Sequence, residues 1–132
     1  KGLPIVFPMH PRTAKIYKEL GISAPNLFIV DPLGYHEFNY LVENALGVIT
    51  DSGGITEETT VMGVPCITLR DNTERPETVQ IGTNELIGTD PKAIKPALEK
   101  LVSNQWKKGS IPYLWDGKAA ERIVECLSKI YG

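Results

Sequence analysis

The chain alternates short, continuously apolar runs with stretches whose apolar residues recur at helical spacing, and few folds accept that alternation. The apolar runs are IVF (5–7), LFIV (27–30), GVIT (47–50), CITL (66–69) and ELIG (85–88). Between them, Thr13 is set to cap a helix carrying Ile16, Tyr17 and Leu20 and stopped by Gly21. A second helical pattern holds Tyr35, Phe38, Leu41, Val42 and Ala45, and a third runs over 54–62 with Gly63 just past its end. Asp90-Pro91 opens a fourth in cap-then-proline order; Pro96 delays or bends its start before Ala97, Leu98, Leu101 and Val102. The last covers 118–130, with Ile123, Val124, Leu127 and Ile130 expected inward, while 70–83 and 107–117 read as irregular. Strands that are apolar throughout are buried on both faces. The expectation is therefore an α/β, Rossmann-like domain over residues 1–132, its sheet mostly parallel and covered by helices on both faces.

Composition narrows the function. A chain of 132 residues buries enough surface for a real core. Its formal net charge of -2 gives no concentrated basic face, so nucleic acid is not an expected partner. No run approaches the roughly 20 apolar residues of a membrane span, and no signal-peptide pattern opens the chain. Cys66 and Cys126 lack metal-type spacing, and Cys66, inside PCITL, reads as a small buried hydrophobe. A reduced, cytoplasmic setting without a metal site is expected. The first residue is Lys1 rather than Met, which suggests a piece of a longer chain.

In parallel sheets ligands bind beyond the carboxyl ends of the strands, which singles out MHPRT, DPLGYHEF, DSGG, RDNTERPE and GTD. DSGG between a strand and a helix offers the N–H groups of Ser52, Gly53 and Gly54, with the Ser52 hydroxyl, as an anion site; a plain capped turn uses the same residues. Glu57 and Glu58 follow, expected in the first helical turn, where they complement the helix dipole. A carboxylate would repel an anion held at the helix start unless it is directed elsewhere. It accepts hydrogen bonds only, and sugar hydroxyls donate them. Phosphate at the glycine turn with a ribose on Glu58 is thus a consistent nucleotide arrangement. Glu57 points about 100° away, is expected to be structural or solvated, and its removal should leave nucleotide binding nearly unchanged. Arg70 and Arg75 suit charge-assisted bonds to phosphate, and equally suit pairing with the flanking Asp71, Glu74 and Glu77. His10 reads either as a solvated loop histidine or as a proton donor near a leaving phosphate. Phe38 reads as core or as a surface for a base, His36 as solvent-facing, and Trp106, Tyr113 and Trp115 as residues that pack onto a missing partner surface.

Taken in order, HPRT, DPLGYHEF, TDSGGITEE, GVP, RDNTERPE, GT and PYLWDGKAAERI resemble the C-terminal half of the non-hydrolysing UDP-N-acetylglucosamine 2-epimerases, over nearly the whole chain. The resemblance implies the C-terminal, UDP-binding half of a GT-B-type fold of two Rossmann-like domains. It implies conversion of UDP-N-acetylglucosamine to UDP-N-acetylmannosamine by elimination of UDP to a 2-acetamidoglucal and re-addition, with no cofactor. By position, Ser52, Gly53 and Gly54 match the diphosphate turn and Glu58 the ribose carboxylate. Arg75 matches an arginine of the cleft, Phe38 the aromatic near uracil, and His10 the histidine of the diphosphate or acid–base chemistry. HPRT departs from the longer H-x-N-P-x-V-R motif tied to activation by a second substrate molecule, so that regulation is not implied. The resemblance places the family's acidic catalytic residues in an N-terminal domain absent from these residues, and the C-terminal domain's own first strand and helix are expected to lie before Lys1. Residues 1–132 alone are accordingly expected to be inactive, with a missing N-terminal domain and a second copy in a homodimer as partners. The rival readings are the donor-binding half of a GT-B glycosyltransferase and a non-catalytic UDP-sugar-binding module.

Overall fold

The computed structural model describes residues 2–132, which form two compact units meeting in the chain between Leu41 and Val42. In the first, β1 (Ile5–Pro8) and β2 (Leu27–Val30) pair in parallel, Ile5 opposite Leu27 and Pro8 opposite Val30. Parallel neighbours need a crossover, supplied by α1 (Pro11–Leu20). His10, not Thr13, caps this helix: proline occupies its first position, and the His10 Nδ1 accepts the Arg12 N–H at 3.3 Å. Gly21 ends it in the left-handed conformation (φ 60°), as expected. α2 (Tyr35–Glu43) begins in this unit. With only two strands, the sheet leaves Ile5, Val6, Phe7, Phe28 and Ile29 exposed. The strands were expected to be buried on both faces, and here they are not, because β1 has a single strand neighbour among the described residues.

The second unit holds a three-stranded parallel sheet in the order β3 (Val48–Thr50), β4 (Cys66–Thr68), β5 (Asn84–Leu86). The one sheet expected from sequence is thus two sheets, every pairing parallel. Around the second lie α3 (Gly53–Met62), α4 (Pro76–Gln80), a 3-10 turn at Pro91–Ala93, α5 (Ile94–Val102) and α6 (Ala119–Tyr131). The 3-10 turn is the delayed start that Pro96 predicts, since proline is tolerated only in a helix's first turn. The short α4 falls within a stretch expected to be irregular. Gly63 (φ 72°) closes α3.

β4 is buried throughout, and its alternating side chains reach different layers. Ile67 meets Ala97 and Leu101 of α5, with Leu69, Ile87, Leu98 and Trp106 around them. Cys66 and Thr68 face α3 and α4 through a layer of buried polar side chains: Thr56, Thr59, Thr60, Thr78, Thr83 and Asn84. The Thr68 hydroxyl donates to Asn84 Oδ1 (2.6 Å), and Asn84 Nδ2 donates to the Thr78 hydroxyl (3.2 Å). That hydroxyl donates in turn to the Arg75 carbonyl (2.7 Å), and Thr83 donates to the Val64 carbonyl (2.6 Å). Burial pushes the Cys66 thiol pKa up, in keeping with its reading as a buried hydrophobe.

Trp106 does not wait for an outside surface. It joins the α5 core, donates from Nε1 to the Thr83 carbonyl (2.7 Å), and carries Lys100 Nζ 5.3 Å above its ring. Tyr113 is 89% exposed. The apolar stripe of α6, expected inward, is also exposed: Ile123, Val124, Leu127 and Ile130 each keep at least half their surface open. No described helix is long and apolar enough to cross a membrane.

A clamp fixes the start of α6. Arg122 donates from Nη1 and Nη2 to the two Asp116 oxygens (2.9 Å each), and the Lys118 N–H donates to Oδ1 (3.0 Å). These bonds, the guanidinium's first, lower the Asp116 pKa from 3.8 to about 2. A depressed folded-state pKa means the clamp's contribution is full above pH 3.8 and is lost as pH falls through about 2. A carboxyl-carbon NMR titration should place Asp116 near 2, and Arg122→Gln should return its midpoint toward 3.8. A midpoint already near the upper value would show that no clamp forms.

Candidate nucleotide-binding turn

β3 ends at Thr50 and α3 begins at Gly53, so the chain reverses within two residues at the carboxyl rim of the sheet. Ser52 caps the helix in extended conformation (φ -84°, ψ 131°), but its hydroxyl makes no capping bond. Its N–H donates to the Thr50 hydroxyl (3.0 Å). The Ser52 amide is thus engaged within the turn, and among the described residues the Ser52 hydroxyl and the amides of Gly53 and Gly54 are the open donors at the helix's positive end.

The two glycines stand in different surroundings. A side chain's first carbon on Gly53 would lie 3.4 Å from Glu74 Oε2 and 3.5 Å from Arg70 Nη1. On Gly54 it would meet nothing within 4 Å. Residues four apart share a helix face, so Gly53 and Glu57 form one column, and Gly54 and Glu58 the next. The first column is walled by the segment following β4. The second is open.

The glutamates divide accordingly. As the fifth and sixth residues of α3 they lie in its second turn rather than its first, where complementing the dipole explains little. Arg75 Nε donates to Glu57 Oε1 at 2.6 Å. The Glu58 carboxylate is half-buried and makes no hydrogen bond or ion pair among the described residues. Arg70 takes the pairing that flanking charges predict, donating from both terminal nitrogens to Glu74 (3.3 and 3.0 Å). Hydrogen bonds from its own backbone and from Arg70 hold the Glu74 pKa below the ordinary value. Arg75 instead reaches across to α3, a long-range pairing that its neighbours in sequence did not suggest.

His10 and Phe38 belong to the first unit and are described there alone. The His10 imidazole is exposed, with Nδ1 engaged at the helix cap and Nε2 without a partner among the described residues. Phe38 sits half-buried in the first turn of α2. His36 is solvent-facing, as expected, edge-on to Tyr35 with ring centroids 5.7 Å apart. Sequence reasoning missed Thr50 and Asn84, and offered Glu74 only as one of three flanking partners for the arginines. For Glu74 the deciding signal was its spacing of four from Arg70. Among the described residues, no three His, Cys, Asp or Glu side chains cluster as metal ligands would.

Parallel strands joined by helices, with a glycine turn at the carboxyl rim of the sheet and arginines beyond the next strand's exit, define an α/β domain of the Rossmann-like class. The family is particular. The chain belongs to the UDP-N-acetylglucosamine 2-epimerase family, whose model matches residues 1–128. It is 44% identical over 131 residues to a UDP-N-acetylglucosamine 2-epimerase of Methanocaldococcus jannaschii, covering 94% of this chain and 35% of that protein. It is 46% identical over 125 residues to one of Methanococcus maripaludis, covering 91% and 34%. The structure of the M. jannaschii enzyme in complex with UDP-GlcNAc and UDP superposes with a TM-score of 0.76 at 43% identity, over 96% of this chain and 36% of that one. The chain therefore spans about a third of the length of these relatives.

Proposed function

We propose that these residues form the UDP-binding, C-terminal part of a longer UDP-N-acetylglucosamine 2-epimerase. The observation that carries this reading is the open Gly54–Glu58 column: free amides at a helix start, empty space beside the glycine, and an unpartnered carboxylate one turn along. A diphosphate on the Gly53 and Gly54 amides and the Ser52 hydroxyl leaves the ribose hydroxyls to donate to Glu58. Elimination breaks the C1–oxygen bond as C2 loses its proton, and negative charge grows on the departing diphosphate. Fixed amide dipoles and Arg75 stabilise that charge without reorganising. For His10 and Phe38, which lie in the first unit, the roles assigned rest on family resemblance alone: a histidine of the diphosphate or acid–base chemistry and an aromatic ring for the uracil. The proton at C2 is moved by residues outside this chain. A homodimeric, cytoplasmic enzyme acting on neither nucleic acid nor membrane is the setting we assign.

The test is turnover of UDP-N-acetylglucosamine by the complete protein in heavy water, first without and then with an added sugar acceptor. Epimerisation should yield UDP-N-acetylmannosamine with deuterium at C2, because the proton is lost and regained. Sugar transferred to an added acceptor, with no exchange at C2, would favour a glycosyltransferase instead.

A further inference from the structure

Arg75 is held more firmly than an exposed arginine needs to be. Its N–H donates to the Thr73 hydroxyl (3.0 Å), and its carbonyl accepts from the Thr78 N–H (3.1 Å) and hydroxyl (2.7 Å). Its guanidinium donates from Nε to Glu57 Oε1 (2.6 Å) and from Nη1 to the Glu74 carbonyl (3.2 Å). The Nη2 amino group takes no partner among the described residues. Arg70 differs: both of its terminal nitrogens are occupied by Glu74. Of the two arginines, only Arg75 is both fixed in orientation and left with an open donor end. A guanidinium fork carries its donors in one rigid plane, so fixing Nε also fixes the direction of Nη2.

Glu57 does the fixing, from the helix that also offers the glycine turn. It stands one turn beyond Gly53, about 6 Å along the axis, on the column next to Gly54 and Glu58. We infer that Glu57 is a positioning residue for the reaction: its carboxylate anchors Arg75 through Nε so that the Nη2 end is presented to the diphosphate held on the neighbouring column. This rests on the UDP-binding reading above and explains why that helix carries two adjacent glutamates. One accepts from the nucleotide. The other aims a cation at the leaving group and, by pairing with it, keeps its own negative charge from opposing the diphosphate.

The test uses the complete enzyme and four variants, Glu57→Ala, Glu57→Gln, Arg75→Ala and the double Glu57→Ala/Arg75→Ala, each checked for an unchanged thermal midpoint. Misaiming a group that acts on developing charge slows the chemical step more than it weakens binding. Glu57→Ala should lower kcat roughly tenfold or more while KM moves less than about threefold. Glu57→Gln, which keeps an oxygen to accept from Nε, should fall between wild type and Glu57→Ala. The double variant should be no slower than Arg75→Ala alone, because a misaimed arginine and an absent one share a single loss. Unchanged or faster turnover in Glu57→Ala, or losses that multiply in the double variant, would overturn the positioning role. Failure of the underlying reading is separate: wild-type protein would then bind no UDP, or bind it with an affinity indifferent to Glu58.

Discussion

Replacing Glu58 with alanine should weaken UDP binding by about 2 kcal/mol, roughly thirtyfold in Kd, with the fold intact. The half-buried carboxylate has no partner to abandon, so its removal leaves no orphaned group within the protein. On the proposed reading the loss is that of an acceptor for the ribose hydroxyls, and hydrogen bonds to a charged acceptor fall in the range of about 1.5–3 kcal/mol. Titration calorimetry with UDP measures this directly. Glu57→Ala serves as the adjacent control and should change UDP affinity less than about threefold, because Arg75 keeps its charge and loses only its aim. The two neighbours thus separate by measurement, Glu58 in affinity and Glu57 in turnover. Equal losses of UDP affinity at both positions would contradict the division of the helix into an open and a walled column.

The second large effect lies beneath the site. Asn84→Leu should cost about 3 kcal/mol and lower the thermal midpoint by roughly 10 °C. Asn84 accepts from Thr68 and donates to Thr78, so the substitution leaves two buried hydroxyls short of a partner in a layer closed to water. Adding Thr68→Val to Asn84→Leu should recover part of that loss, since removing both members of a buried polar pair costs less than stranding one. A double variant that simply sums the two single losses would show that the pair is not coupled. Thermal unfolding followed by circular dichroism reads both.

The strands were legible because short continuous apolar runs favour strands whether or not the described residues cover them, and each of the five runs overlaps a strand, least closely at β5, which begins at Asn84 and ends at Leu86. Helix ends marked by Gly21 and Gly63 were legible for the same local reason: only the left-handed conformation closes those helices. What escaped was non-local. The pairing of Arg75 with Glu57 joins α3 to the exit of β4, and no spacing in one dimension announces it. The polar layer escaped because threonines score as neither core nor surface, and Asn84 between Thr83 and Glu85 reads as a turn. The α6 stripe was read as core from its period alone. A period says that a face is apolar, not that anything in the described residues covers it. At the candidate site, the strand-to-helix turn at the glycines was legible from the sequence, whereas the use of the Ser52 amide by Thr50 needed coordinates.

The layer of threonines and Asn84 bears on how the binding turn behaves with warmth. Oily contacts are forgiving: they slide, trade partners and loosen by degrees. Directional bonds running from Thr68 through Asn84 and Thr78 to the Arg75 carbonyl allow no such drift, because each link sets the angle of the next. The arginine's aim should stay sharp as temperature climbs and then vanish together with the unit, in a single step.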